Sequence, residues 1–208
     1  KLLIVGSFPK PNAKNIYGGQ LTACKTLINS NFSKKFKIFT LNSTVFTNPP
    51  PNLLIRALFA AIRILKFIYK VLINDPKVII IFVADKFSAI EKGLMIIIAK
   101  ILNKSVMVFP RAGALIDQYK SNRLFQKYIK FTFSKSDVFL CQGNSFREFA
   151  IEKLKFDISR TSIIPNWTAK KEHIAIGSNR DFYEGNYFPK ILFLGWLEDF
   201  KGIKELLK

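Results

Sequence analysis

The feature that most constrains this chain is an alternation of short apolar runs, rich in β-branched residues, with longer segments whose apolar residues recur at helical spacing. Strands buried on both faces read as continuous apolar runs, and parallel neighbours need a crossover of a dozen or more residues between them. The alternation therefore predicts a parallel sheet covered by helices on both sides. Six strand runs stand out: Leu2 to Val5, Phe36 to Leu41, Val78 to Ala84, Ser105 to Phe109, Val138 to Cys141 and Ser162 to Ile164. The helix candidates between them are Gln20 to Asn29, Leu53 to Ile73, Ser88 to Leu102, Gln118 to Phe133 and Ser145 to Leu154. From Asn166 to Phe188 the pattern lapses into polar residues with Gly177 and Gly185, and then Lys190 to Leu194 begins another strand-like run, followed by a helix start at Gly202. The reading is a Rossmann-like α/β domain over residues 1–166, a linker over 167–189 and the truncated start of a second Rossmann-like domain over 190–208. With no initial methionine and an end inside a helix-like stretch, the sequence reads as a fragment.

A chain of 208 residues that is 49% hydrophobic can build a real core, which excludes a disordered chain. Lysine and arginine number 33 against 14 acids, a net charge of +19, which favours anionic partners. The lone histidine, His173, and the separated cysteines Cys24 and Cys141 provide neither a metal-ligand spacing nor a disulfide framework. No metal site and no cofactor are expected, and a reducing cytoplasm is the default compartment. Leu2 to Val5 is too short for a signal-peptide core.

Three positions could carry chemistry. Gly18 and Gly19 stand just before a helix, where glycines allow close approach of a ligand and free N–H groups suit a phosphate. The G-x-G-x-x-G dinucleotide fingerprint is absent from this turn. Arg111 and Gly113 follow the fourth strand, at the edge where open α/β sheets bind ligands. Arg111 is suited to a phosphate or carboxylate, and Gly113 leaves room for it. The third is the run from Lys190 to Lys208, with Gly195 after the strand and Lys201-Gly202 opening the helix.

That last run, with Ile163-Ile164-Pro165-Asn166-Trp167 about two dozen residues earlier and the Gly18-Gly19 pair, closely resembles the domain junction of family 4 glycosyltransferases of the GT-B fold. The resemblance covers the acceptor-side domain and only the start of the donor-side domain. It implies a transferase that moves a sugar from a nucleotide-sugar donor, a co-substrate, to a carbohydrate or lipid-linked acceptor such as a surface-polysaccharide precursor. It also implies retention of anomeric configuration without a metal or a dedicated protein nucleophile. By the same resemblance Gly18, Gly19, Gly195 and Lys201 bind the donor diphosphate, Lys201 being the catalytic cation that neutralises the leaving group. Arg111 and Gly113 line the acceptor side. Trp196 replaces the arginine that family members commonly carry after the glycine, and Arg111 stands where a histidine often follows the fourth strand. Rival readings are an inert membrane-surface module on the same scaffold, or a nucleotide-sugar epimerase, which would use cleft carboxylates and histidines, whereas the one histidine here, His173, lies in the linker.

Two segments carry clustered cations. Arg56, Arg63, Lys66 and Lys70 share one arc of the Leu53 to Ile73 helix, and Lys120, Arg123, Lys127 and Lys130 share another, interleaved with Phe125, Tyr128 and Phe131. Four cations argue against a transmembrane span. Two readings of the first helix stay open: a broad apolar side packed on the sheet beneath a solvated basic stripe, or apolar surface lying in a lipid interface beneath snorkelling cations. Attachment to an anionic membrane surface is one expectation, at the inner face of the plasma membrane. Nucleic acid is not expected, because no nucleic-acid-binding signature is present.

Overall fold

A computed structural model describes residues 1–8, 18–44, 51–84, 87–167, 171–179, 192–193 and 202–207. The chain divides into compact units at Lys1–Thr168 and Ala169–Lys208. The first unit is an α/β layer structure around one six-stranded, all-parallel sheet of order β2-β1-β3-β4-β5-β6. The strands are β1 (Leu2–Gly6), β2 (Ile38–Asn42), β3 (Val78–Val83), β4 (Ser105–Pro110), β5 (Val138–Cys141) and β6 (Thr161–Ile163). This is a Rossmann-like arrangement, as the alternation predicts.

Side chains along each strand alternate between two cores. Leu3, Val5, Ile79, Ile81, Val106 and Val108 face one helical layer. It is formed by α3 (Leu53–Asn74), α4 (Phe87–Ile101), α5 (Ala114–Ser121), α6 (Arg123–Phe133) and α7 (Asn144–Glu148). Leu2, Ile4, Ile80, Phe82, Phe109 and Leu140 face the other side. That side is covered by α1 (Gly19–Ile28), α2 (Asn31–Lys35) and the Ile164–Trp167 segment after β6. A strand with a side chain locked into each core cannot slip by one residue without exchanging its two faces.

Local chemistry sets the boundaries. Asn52 caps α3 by accepting the Ile55 N–H at 3.0 Å, and Asp75 ends it in the left-handed region (φ 45°), where Lys104 pairs with the Asp75 carboxylate. The single helix read from Gln118 to Phe133 is two helices instead. Asn122 breaks it with extended backbone and accepts the Phe125 N–H at 2.9 Å, capping α6 and leaving Lys120 on α5. Phe36 is exposed and β2 starts two residues later, at Ile38. The segment read as Ser145 to Leu154 is α7 continued by a wider π-helical turn over Phe149–Lys153. A short 3-10 turn over Ile158–Arg160 then leads into β6.

In the second unit, α8 (Lys171–Ser178) lies inside the stretch read as a linker, and α9 (Ile203–Leu206) follows Gly202, whose φ of 76° favours glycine. The strand read at Lys190 to Leu194 lies outside the described residues apart from Leu192 and Phe193, which form no regular element.

Candidate functional site

The connections leaving β1 and β3 diverge, because β1 sits between β2 and β3 while β3 continues toward β4. In open α/β sheets this switch point marks the crevice, outside the carboxyl ends of the strands. Gly6 ends β1 there, and a Cβ on it would lie 2.7 Å from the Cys24 Sγ of α1, so glycine is what lets helix and strand approach. Asn42 then ties two loops together: its Oδ1 accepts the Phe8 N–H at 2.9 Å and the Thr44 N–H at 3.0 Å. Ser7 and Thr44 share a hydroxyl hydrogen bond of 2.9 Å across the same gap.

Gly18 caps α1 without a side-chain hydrogen bond, both Gly18 and Gly19 are exposed, and a Cβ on either would meet nothing within 4 Å among the described residues. No described residue therefore demands glycine at either position. Burial, by contrast, pushes the thiols of Cys24 and Cys141 up to about 11, so both are protonated at neutral pH and neither is a thiolate nucleophile.

Arg111 follows β4 at this edge. Its guanidinium stacks over Phe109 (5.1 Å) and Trp167 (4.8 Å), and Nη2 donates to Asn166 Oδ1 at 2.8 Å. Gln142, after β5, donates to the same Asn166 oxygen at 3.0 Å, and the Trp167 indole N–H donates to the Ala23 carbonyl of α1 at 3.1 Å. The Ile-Pro-Asn-Trp run thus leaves β6 pinned across the ends of β4 and β5. Nη1 of Arg111 is buried without a hydrogen-bond partner among the described residues, and desolvation holds the arginine pKa below its ordinary value. A buried donor without a partner is costly unless a ligand supplies an acceptor. Gly113 caps α5, and a Cβ there would meet nothing within 4 Å among the described residues.

Beside the carboxyl ends of β2 and β3 lies a cavity of about 490 Å³, walled by Leu53, Ala57, Ala60, Phe87, Ile90 and Leu94 of α3 and α4. Arg63, Glu91 and Lys92 also line it. Glu91 accepts two hydrogen bonds from Arg63, at 2.8 and 2.6 Å, and one from Lys92 at 3.2 Å. Burial pushes the Glu91 carboxyl up, but Arg63 and Lys92 outweigh it and hold the group below the usual carboxylate range. Lys92 is only 1% exposed; desolvation draws its pKa down against the opposing pull of Glu91.

The basic arc of α3 is therefore not a solvated stripe. Arg63 turns inward to Glu91 and Arg56 lies over the Phe87 ring at 4.4 Å, whereas Lys66 is exposed and Lys70 half-buried. Lys120, Arg123, Lys127 and Lys130 are all exposed. Gly195 and Lys201 lie outside the described residues. Sequence reasoning passed over Glu91 and Lys92, although two adjacent charges in an otherwise apolar helix were the available signal. Asn166, whose oxygen joins Arg111 to Gln142, was singled out only as part of the Ile163–Trp167 run, with no contact assigned to it. No protein-family model matches this chain, and no curated protein matches it.

Proposed function

We propose that this chain belongs to a glycosyltransferase that moves a sugar from a nucleotide-sugar to a carbohydrate or lipid-linked acceptor. One observation carries the reading: at the carboxyl edge of one parallel sheet Arg111, Asn166 and Trp167 form a cluster that Trp167 ties to Ala23 of α1, a helix whose exposed start has no side-chain cap. Helix N-terminal amides suit a diphosphate, and a guanidinium nitrogen lacking an acceptor suits a second anionic or hydroxyl-rich group. Chemically, departure of a nucleoside diphosphate concentrates negative charge on the leaving oxygen, and positioned N–H groups and cations lower that barrier. The amides at Gly18 and Gly19 are assigned to the diphosphate. Lys201 is assigned to the leaving group and Gly195 to the diphosphate, both carried over from the resemblance.

The test uses the full-length protein and a panel of uridine- and guanosine-diphosphate sugars, measured by titration calorimetry and by transfer of labelled sugar. Gly18→Val places a side chain where no described residue lies within 4 Å of its Cβ, so folding is expected to be unchanged while donor binding weakens about tenfold or more. Lys201→Ala is expected to lower turnover by about 100-fold with little change in melting temperature. Failure of the unaltered protein to bind any nucleotide-sugar would overturn the reading.

A further inference from the structure

α3 directs most of its apolar surface away from the protein. Of its 22 residues only Phe67 and Val71 are buried. Leu54, Leu65 and Tyr69 are 81%, 66% and 65% exposed, and Leu58 and Leu72 are similarly open. At about 100° per residue these five fall within an arc of about 60°, forming one ridge along the helix. Next around the helix come Ile62, Ile55 and Ile73, all exposed, and then Lys66 and Lys70, which border this apolar face on one side. The surface continues laterally, since α3 packs beside α4 and α4 beside α6. Ile90 and Leu94 are open on α4, and Leu124 and Phe131 on α6. The apolar cavity between α3 and α4 extends it inward.

Charge identifies what this surface fits. Together α3, α4 and α6 carry nine lysines and arginines and one acid, Glu91. That acid is buried and held by Arg63 and Lys92, so it offers nothing outward. A contiguous exposed apolar patch marks a site of association. A second copy would set one cationic layer against another, and a nucleic acid would leave the leucine ridge without an apolar partner. A bilayer with anionic headgroups satisfies both features at once, through hydrocarbon under the ridge and negative potential beside the lysines. No helix among the described residues is long and apolar enough to cross a membrane, so the contact is with the surface.

We infer that the α3–α4–α6 layer docks on an anionic lipid surface, with the Leu54–Leu58–Leu65–Tyr69–Leu72 ridge entering the interface and Lys66, Lys70, Arg123, Lys127 and Lys130 meeting the headgroups. This goes beyond sugar transfer and stands without it.

The experiment is co-sedimentation of the full-length protein with vesicles of phosphatidylcholine alone or mixed with phosphatidylglycerol. Binding is expected to the mixed vesicles and to weaken in high salt. The double variant Leu58→Glu/Leu65→Glu is expected to lower that binding about tenfold or more, and Lys66→Glu/Lys70→Glu to lower it for the anionic vesicles. All four positions are on the surface or its margin, and melting curves check that each variant folds. Tyr69→Trp is expected to add fluorescence that shifts to the blue with mixed vesicles. Nucleotide-sugar binding, measured in parallel, should survive the leucine variants, which separates this proposal from the fate of the transferase reading. Sedimentation with neither vesicle, or sedimentation indifferent to the leucine variants, would overturn the inference. So would a dimer that the leucine variants split while vesicle binding persists, because a second copy would then own the ridge.

Discussion

α3 and α4 are neighbouring apolar helices on the same face of the sheet, yet they use their apolar residues in opposite ways. α4 buries seven of its 15 residues, including Gly93, Met95, Ile96 and even Lys92, because α3 and α6 flank it and β3 and β4 lie beneath. α3 has α4 on one side only and lies toward the β2 edge, and it buries two residues of 22. Hydrophobic content alone therefore does not measure core formation; a place in the middle of the layer does. A helix at the margin can be as apolar as its neighbour and still present a surface.

The sharpest break in this comparison is at Glu91. Glu91→Ala leaves Lys92 buried without its carboxylate and is expected to cost about 3–5 kcal/mol in denaturant unfolding. The same residue sets a pH dependence. Because the folded carboxyl titrates below its ordinary value, its contribution is complete above about pH 4.3 and is lost as pH falls further through the folded value. Glu91→Ala should flatten that part of the acid limb, and an unchanged limb would show that other carboxylates govern it. Next comes Gly93→Ala. Its Cβ would fall 2.7 Å from Thr132 Oγ1 and 2.8 Å from Tyr128 Cε1, so α4 and α6 must separate, at about 1–3 kcal/mol. Smallest is Leu65→Ala, which should change stability by less than about 0.5 kcal/mol although it deletes a leucine. A loss as large as that of a core leucine would mean the ridge is covered in solution.

Much of the fold was legible because a doubly buried strand has few disguises. The runs at Leu2, Val78, Ser105 and Val138 all became strands starting at those residues, since each was apolar on both faces and bounded by polar or turn residues. The Gln118 to Phe133 error has a specific cause. Its apolar period persists through Asn122, and nothing in the pattern distinguishes an asparagine inside a helix from one that caps the next helix. The basic arc of α3 was legible in its grouping and not in its surroundings. Helical phase correctly grouped Arg56, Arg63, Lys66 and Lys70, but phase says which residues share a face, not what that face meets; Glu91, on another helix, drew Arg63 inward. For the candidate site, the glycine pair and Arg111 were visible as residue types at a sheet edge. The stacking of Arg111 on Trp167 depended on a return of the chain from β6, which joins residues 56 apart and leaves no periodic trace.

The strand order has a consequence for biosynthesis. Of the six strands of this sheet β1 is translated first, yet it sits in the interior of the sheet, and its second partner, β3, is reached only when Leu2 can meet Val78. At ribosomal speeds of about 5–20 residues per second, that partner follows roughly 4–15 s later. During this interval Leu3, Ile4 and Val5 have at most β2 beside them, and the α3 segment emerges before the strand that completes their burial. The nascent chain thus passes through a stage with two apolar stretches exposed together.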